Sequence, residues 1–167
     1  NEKVGAIKFI LYCKFLIKDF VNKLHASTKA IDVLDRTKES GAVGDPLYLD
    51  IKTAIIDAIE NDSAPFSQLP LVIGGRYGLG SKEFTPAMVK AVFDNLALNK
   101  SLRKKSFVVG IDDDVSHNSL AYDPNFVSSN PNNFSGIFFG IGSDGTVSAN
   151  KNSIKIIGEN SDKHVQG

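Results

Sequence analysis

The strongest constraint on how this chain folds is a repeated order: a short apolar run, a polar or glycine-rich loop, then apolar residues at helical spacing. Residues 4–12 are β-rich, and residues 17–25 follow with Phe20, Val21 and Leu24 on one helical face. Residues 30–34 predict the next strand. It runs into Asp35-Arg36-Thr37-Lys38-Glu39-Ser40-Gly41, after which Asp45 caps and Pro46 opens a helix with Leu47, Ile51, Ala54, Ile55, Ala58 and Ile59 on one face. Residues 71–73 form a short strand leading into Gly74-Gly75-Arg76-Tyr77-Gly78-Leu79-Gly80. Thr85-Pro86 then begin a helix whose buried stripe is Val89, Val92, Phe93 and Leu96. Residues 107–111 are unbroken apolar and close in Asp112-Asp113-Asp114, as a central parallel strand covered on both faces should. The alternation predicts an α/β fold, an open and mostly parallel sheet with helices on both faces.

From residue 118 to 133 the chain turns to Asn, Ser, Asp and Pro without periodicity, the composition of a loop or linker. We therefore expect a domain over residues 1–128, a linker over 129–135 and a second unit over 136–167. That second unit holds one predicted strand, 136–140, and one helix, roughly 146–157, too little to form a sheet by itself. Both ends of the chain read as cuts: there is no initiator Met, and an apolar run begins at residue 4.

Composition excludes several classes. With 19 basic and 19 acidic residues the chain has no long-range field to draw in nucleic acid or an anionic membrane, and neither is an expected partner. It carries no run of 18 apolar residues and no signal-peptide layout at its start. A single cysteine, Cys13, rules out an internal disulfide framework and cannot supply the four thiolates of an iron–sulfur cluster. Set in an apolar run, Cys13 is expected to be buried and unreactive, and no catalytic nucleophile is assigned.

The motif with the clearest chemistry is Gly140-Ile141-Gly142-Ser143-Asp144-Gly145-Thr146. A G-x-G-x-x-G spacing between a strand and a helix lets backbone N–H groups close on an anion at the helix N-terminus, where the macrodipole is positive. Gly140, Gly142 and Gly145 would make the turn, Asp144 would orient the loop or cap the helix at Thr146, and Lys151 would reach a phosphate from the helix. The same glycines also serve a purely structural tight turn, and an exposed helical lysine is common. Thr146-Val147 lacks the Lys-Ser/Thr of a P-loop, which disfavours ATP hydrolysis. A dinucleotide site would need an acidic residue at the end of a following strand; Glu159 and Asp162 precede any such strand.

Other polar clusters weigh towards structural roles. Arg76, Ser81 and Lys82 lie where a strand yields to a helix, the ligand-facing edge of α/β sheets, yet their glycines also suit a sharp turn with Arg76 paired to a carboxylate across a domain interface. The loop at residues 35–39 reads as a solvated βα connection. Asp112, Asp113 and Asp114 with His117 are the one grouping that suggests a metal, but Asp-rich turns are common and no metal site is assigned.

Several blocks taken together resemble the pyruvate:ferredoxin (or flavodoxin) oxidoreductases: Val33-Leu-Asp-Arg-Thr-Lys-Glu39 with Gly41-Ala-Val-Gly-Asp-Pro-Leu-Tyr-Leu-Asp50, Gly75-Arg-Tyr-Gly-Leu-Gly-Ser-Lys-Glu-Phe84, Val109-Gly-Ile-Asp-Asp-Asp-Val115, and Gly140-Ile-Gly-Ser-Asp-Gly-Thr-Val147 with Ala149-Asn-Lys-Asn-Ser-Ile-Lys-Ile-Ile-Gly158. The resemblance runs nearly end to end. It implies an internal fragment: a domain like the C-terminal domain of transketolases, then the opening of a gamma domain associated with coenzyme A. The parent would convert pyruvate and coenzyme A to acetyl-CoA and CO2 using thiamine diphosphate, Mg2+ and [4Fe-4S] clusters. It would pass electrons to ferredoxin or flavodoxin and work as a homodimer, in the cytoplasm or in a hydrogenosome or mitochondrion-related organelle. The partners of this piece would be the remaining domains of the same polypeptide, and the piece alone would be inactive. A paralogous 2-oxoacid oxidoreductase, a fused reductase module, a nicotinamide-binding domain and a non-catalytic scaffold stay open.

Overall fold

The computed structural model describes residues 3–10, 12, 15–128 and 132–167. The chain divides into two compact units, Asn1–Ser128 and Ser129–Gly167.

The first unit is an α/β domain around a four-stranded, all-parallel open sheet in the order β1-β2-β3-β4. Its strands are β1 (Ala30–Asp35), β2 (Leu71–Tyr77), β3 (Ser106–Val109) and β4 (Ser119–Leu120); its α-helices are α1 (Ile17–Val21), α2 (Pro46–Glu60) and α3 (Pro86–Ala97). The expected fold class is borne out. Alternating strand residues feed two separate cores. Val33 packs with Phe20 and Val21 of α1 and with Ile51, Ala54, Ile55 and Ala58 of α2. On the opposite face Ile73, Phe107 and Val109 pack with Met88 and Val92 of α3. Helices on opposite faces, joining strands that lie side by side in sequence order, require that one of the two crossovers take the uncommon left-handed sense.

Two glycines of β2 let rings lie close against the sheet. At Gly75 a Cβ would lie 2.3 Å from the ring of Phe107 on the neighbouring strand, so the bare backbone is what lets that ring, 1% exposed, lie across β2. Gly74 takes the Tyr48 ring on the other face in the same way. β2 runs on through Tyr77 instead of ending at the expected residue 73, because residues 74–77 pair with β3 and residues 74–76 also with β1. β3 stops early because Gly110, at φ +69°, turns the chain out of the ladder.

Five local expectations fail. Of the stripe expected on α3 only Val92 is buried: Val89 is exposed, Phe93 and Leu96 are half-buried, and the helix turns Ala87, Met88, Ala91 and Asn95 inward instead. Residues 3–9 make no strand: Phe9 alone is half-buried, stacking on Phe15 at 5.2 Å and packing with it on Phe20, while Val4 and Ile7 stay exposed. Leu11 and Cys13 lie outside the described residues. The first helix is one turn, Ile17–Val21, closed by Lys23 N–H on the Phe20 carbonyl and Leu24 N–H on that of Val21. β4 falls within the stretch read as linker. Residues 136–140 also form no strand, because the second unit offers no neighbouring strand to pair with among the described residues.

Candidate functional site

In the second unit the apolar run leads into the glycine loop and then into α4 (Thr146–Glu159), close to the expected helix. Asp144 organises the loop. Its Oδ2 accepts the N–H of Ile141 at 2.8 Å; its Oδ1 accepts the N–H of Thr146 at 3.0 Å and the Thr146 hydroxyl at 2.5 Å. The Thr146 hydroxyl also lies 3.4 Å from the Phe139 carbonyl. These bonds favour the ionised carboxylate: the Thr146 hydroxyl first, then the Thr146 and Ile141 amides, hold its pKa down to about 2.

The glycines divide their work. A Cβ on Gly140 would come within 2.5 Å of Thr146 Oγ1 and 2.9 Å of Asp144 Oδ1, so Gly140 makes room for the clasp between those two side chains. Gly142 (φ +57°) and Gly145 (φ +84°, the N-cap of α4) take left-handed turns, with open space where a Cβ would point. The first backbone bond of α4 runs from Ala149 N–H to the Gly145 carbonyl. The Thr146 amide is taken by Asp144, so the first-turn amides without a hydrogen bond among the described residues are those of Val147 and Ser148. Gly140, Asp144, Gly145 and Thr146 thus converge and Gly142 forms the turn. Lys151 stands exposed on α4 and makes no hydrogen bond or ion pair among the described residues.

The first unit shows its polar clusters closed on themselves. Asp35, at the end of β1, accepts the N–H groups of Leu47 (3.0 Å) and Tyr48 (3.1 Å) and so caps α2 from a distance in sequence. The expected cap, Asp45, stands at the N-cap position without a capping bond; its carboxylate instead takes Arg76 Nε at 2.6 Å and the Glu39 amide at 3.0 Å. Arg76 therefore pairs inside its own unit, not across an interface. Burial raises the Asp35 pKa, against the pull of the two helix amides. Arg36 Nε donates to the Gly78 carbonyl at 3.1 Å, tying the two βα loops together. Ser81 and Lys82 are exposed.

Asp113 gathers the amides of Ser116, Asn118 and Val115, chiefly the first two, and they hold its pKa below the usual carboxylate range. This is a closed Asx turn. No group of three His, Cys, Asp or Glu side chains among the described residues is placed to hold a metal ion.

Sequence reading missed Asp35 as the cap. Its trace was an acidic residue ending an apolar strand just ahead of a helix. It also missed Asp32 of β1, whose carboxylate oxygens are buried without a hydrogen-bond partner among the described residues.

No family model matches the chain. Whole relatives do. It is 57% identical over its full length to a pyruvate-flavodoxin oxidoreductase of Trichormus variabilis, covering 13% of that protein. It is 53% identical, again over its full length, to the pyruvate:ferredoxin oxidoreductase of Moorella thermoacetica, covering 13%. It is also 49% identical to the pyruvate dehydrogenase [NADP(+)] of Cryptosporidium parvum, covering 8%. The chain thus spans about an eighth of the length of the first two relatives. Similarity at this level across every block, on the expected α/β fold, makes the chain a member of the pyruvate:ferredoxin (flavodoxin) oxidoreductase family that represents one segment of such a protein.

Proposed function

We propose that this chain serves an enzyme that oxidatively decarboxylates pyruvate with coenzyme A, giving acetyl-CoA and CO2 and passing electrons through [4Fe-4S] clusters to ferredoxin or flavodoxin. The full-length similarity to oxidoreductases of that name carries the reading. Within that enzyme residues 1–128 act as a scaffold that meets the remaining domains and supports a homodimer. The stretch from Gly140 to Lys151 forms part of the coenzyme A phosphate region. The support for the latter is the pre-shaped loop, with the Val147 and Ser148 amides at the start of α4 making no hydrogen bond among the described residues.

The chain's own residues do not fit the redox and thiamine cofactors. One cysteine cannot hold a [4Fe-4S] cluster, and the described residues include no carboxylate set for the Mg2+ of thiamine diphosphate. We assign this chain no catalytic residue.

The test is made on the complete gene product. Lys151→Ala and Gly145→Ala should raise KM for coenzyme A about tenfold, roughly 1.4 kcal/mol, and leave kcat and KM for pyruvate near their parent values. Unchanged KM for coenzyme A would remove the assignment of this loop while leaving the family intact. A second reading changes only the electron acceptor: the similarity to the NADP(+)-named protein of C. parvum favours an attached reductase as the immediate sink. Reduction of NADP(+) without added ferredoxin would select it.

A further inference from the structure

Asp32 sits midway along β1, in register with Ile73, and so faces the core beneath α3. Among the described residues β1 has a neighbouring strand on one side only. Both carboxylate oxygens of Asp32 are shut from solvent without a hydrogen-bond partner among the described residues, and the same holds for Nε of Arg103 in the loop after α3. The Arg103 side chain is held instead through Nη2 on the Leu98 carbonyl. Its backbone cannot drift, because Asn95 of α3 grips Lys104 twice: Oδ1 accepts the Lys104 amide at 2.9 Å and Nδ2 donates to the Lys104 carbonyl at 3.1 Å. What is left to move is the guanidinium.

We propose that Asp32 and Arg103 form a proton-operated latch between the edge strand β1 and the loop joining α3 to β3. With Asp32 protonated, its neutral carboxyl rests in the apolar core and Arg103 stays on the Leu98 carbonyl. When Asp32 ionises, a buried charge without a hydrogen bond is costly, and it draws the guanidinium off Leu98 into a direct pair or loosens the strand to admit water.

The surroundings leave Arg103 as the charge that answers Asp32. Across the register stands Ile73. On α3, Lys90 and Asp94 pair with each other at 2.5 Å. Lys104 donates to the His117 carbonyl, and Asp35, on the same strand, is committed to the amides of α2. Burial, only partly opposed by Arg103, pushes the Asp32 pKa up to about 7. A raised carboxylate pKa means the folded state binds the extra proton. Its stabilising share is full below about 4, the unfolded value, and is lost as pH rises through about 7.

Side-chain carboxyl carbons of the 167-residue chain, followed by NMR between pH 5 and 9, test the latch. The resonance missing in Asp32→Asn should titrate near neutrality, and Arg103→Gln should move that midpoint upward. Amide protection factors at residues 31–35 and 98–104 should change with the same midpoint in the parent and stay flat in Asp32→Asn. Titration in the ordinary carboxylate range, a midpoint that Arg103→Gln leaves in place, or protection that changes equally in Asp32→Asn would each overturn it.

Discussion

The loop ahead of α2 and the loop ahead of α4 use the same device in opposite settings. In each, an aspartate outside the helix reaches first-turn amides: Asp35 those of Leu47 and Tyr48, Asp144 that of Thr146. Around Asp35 the strand is laddered to β2 and backed by two cores. Around Asp144 the run before the loop leaves Ile137 80%, Phe139 87% and Ile141 98% exposed. Local hydrogen bonds are therefore enough to shape a βα turn and start a helix, whereas a strand exists only when a neighbour pairs with it. Residues 137–141 are nearly all apolar, the composition of a strand that would be covered on both sides if a neighbour paired with it.

The contrast can be broken hardest at the core. Phe107→Ala should cost the first unit about 3–5 kcal/mol in denaturant unfolding, while helical signals from α4 persist; loss of both together would show that the second unit leans on the first. Gly75→Ala, which drives a methyl into the Phe107 ring, should cost about 1–3 kcal/mol in the same measurement. Asp35→Ala should cost about 2 kcal/mol and raise amide exchange at Leu47 and Tyr48, sharpening the claim that the cap comes from β1. In the second unit, Gly145→Ala forces a side chain into a left-handed turn and should weaken α4 by about 1 kcal/mol, read by carbon shifts. The smallest effect is with pH. The Asp144 pKa is lowered, so its contribution is present above about 4 and fades only as pH falls through about 2. Protection of the Ile141 and Thr146 amides should therefore hold down to about pH 3, and earlier loss would contradict the clasp.

The layered α/β architecture was legible because α2 and α3 announce themselves through Pro46 and Pro86 and through stripes such as Ile51, Ala54, Ile55 and Ala58. What escaped was set by pairing across distance. β4 is two residues long and owes its state to Val108 and Val109 beside it, not to its own Ser-Leu. Residues 4–12 had strand composition, but Phe9 found Phe15 and Phe20 instead. At the candidate loop the turn glycines and Asp144 could be read from spacing. That Gly140 serves the Asp144–Thr146 clasp needed the distances.

The order β1-β2-β3-β4 also says something about assembly. Each strand lies beside the one made just before it, so the sheet can grow in the direction of synthesis, every new strand arriving at an edge already in place. Among the described residues no strand has to be wedged between two laid down earlier, which keeps the loops to be closed short and shortens the time that apolar edges wait uncovered on the nascent chain.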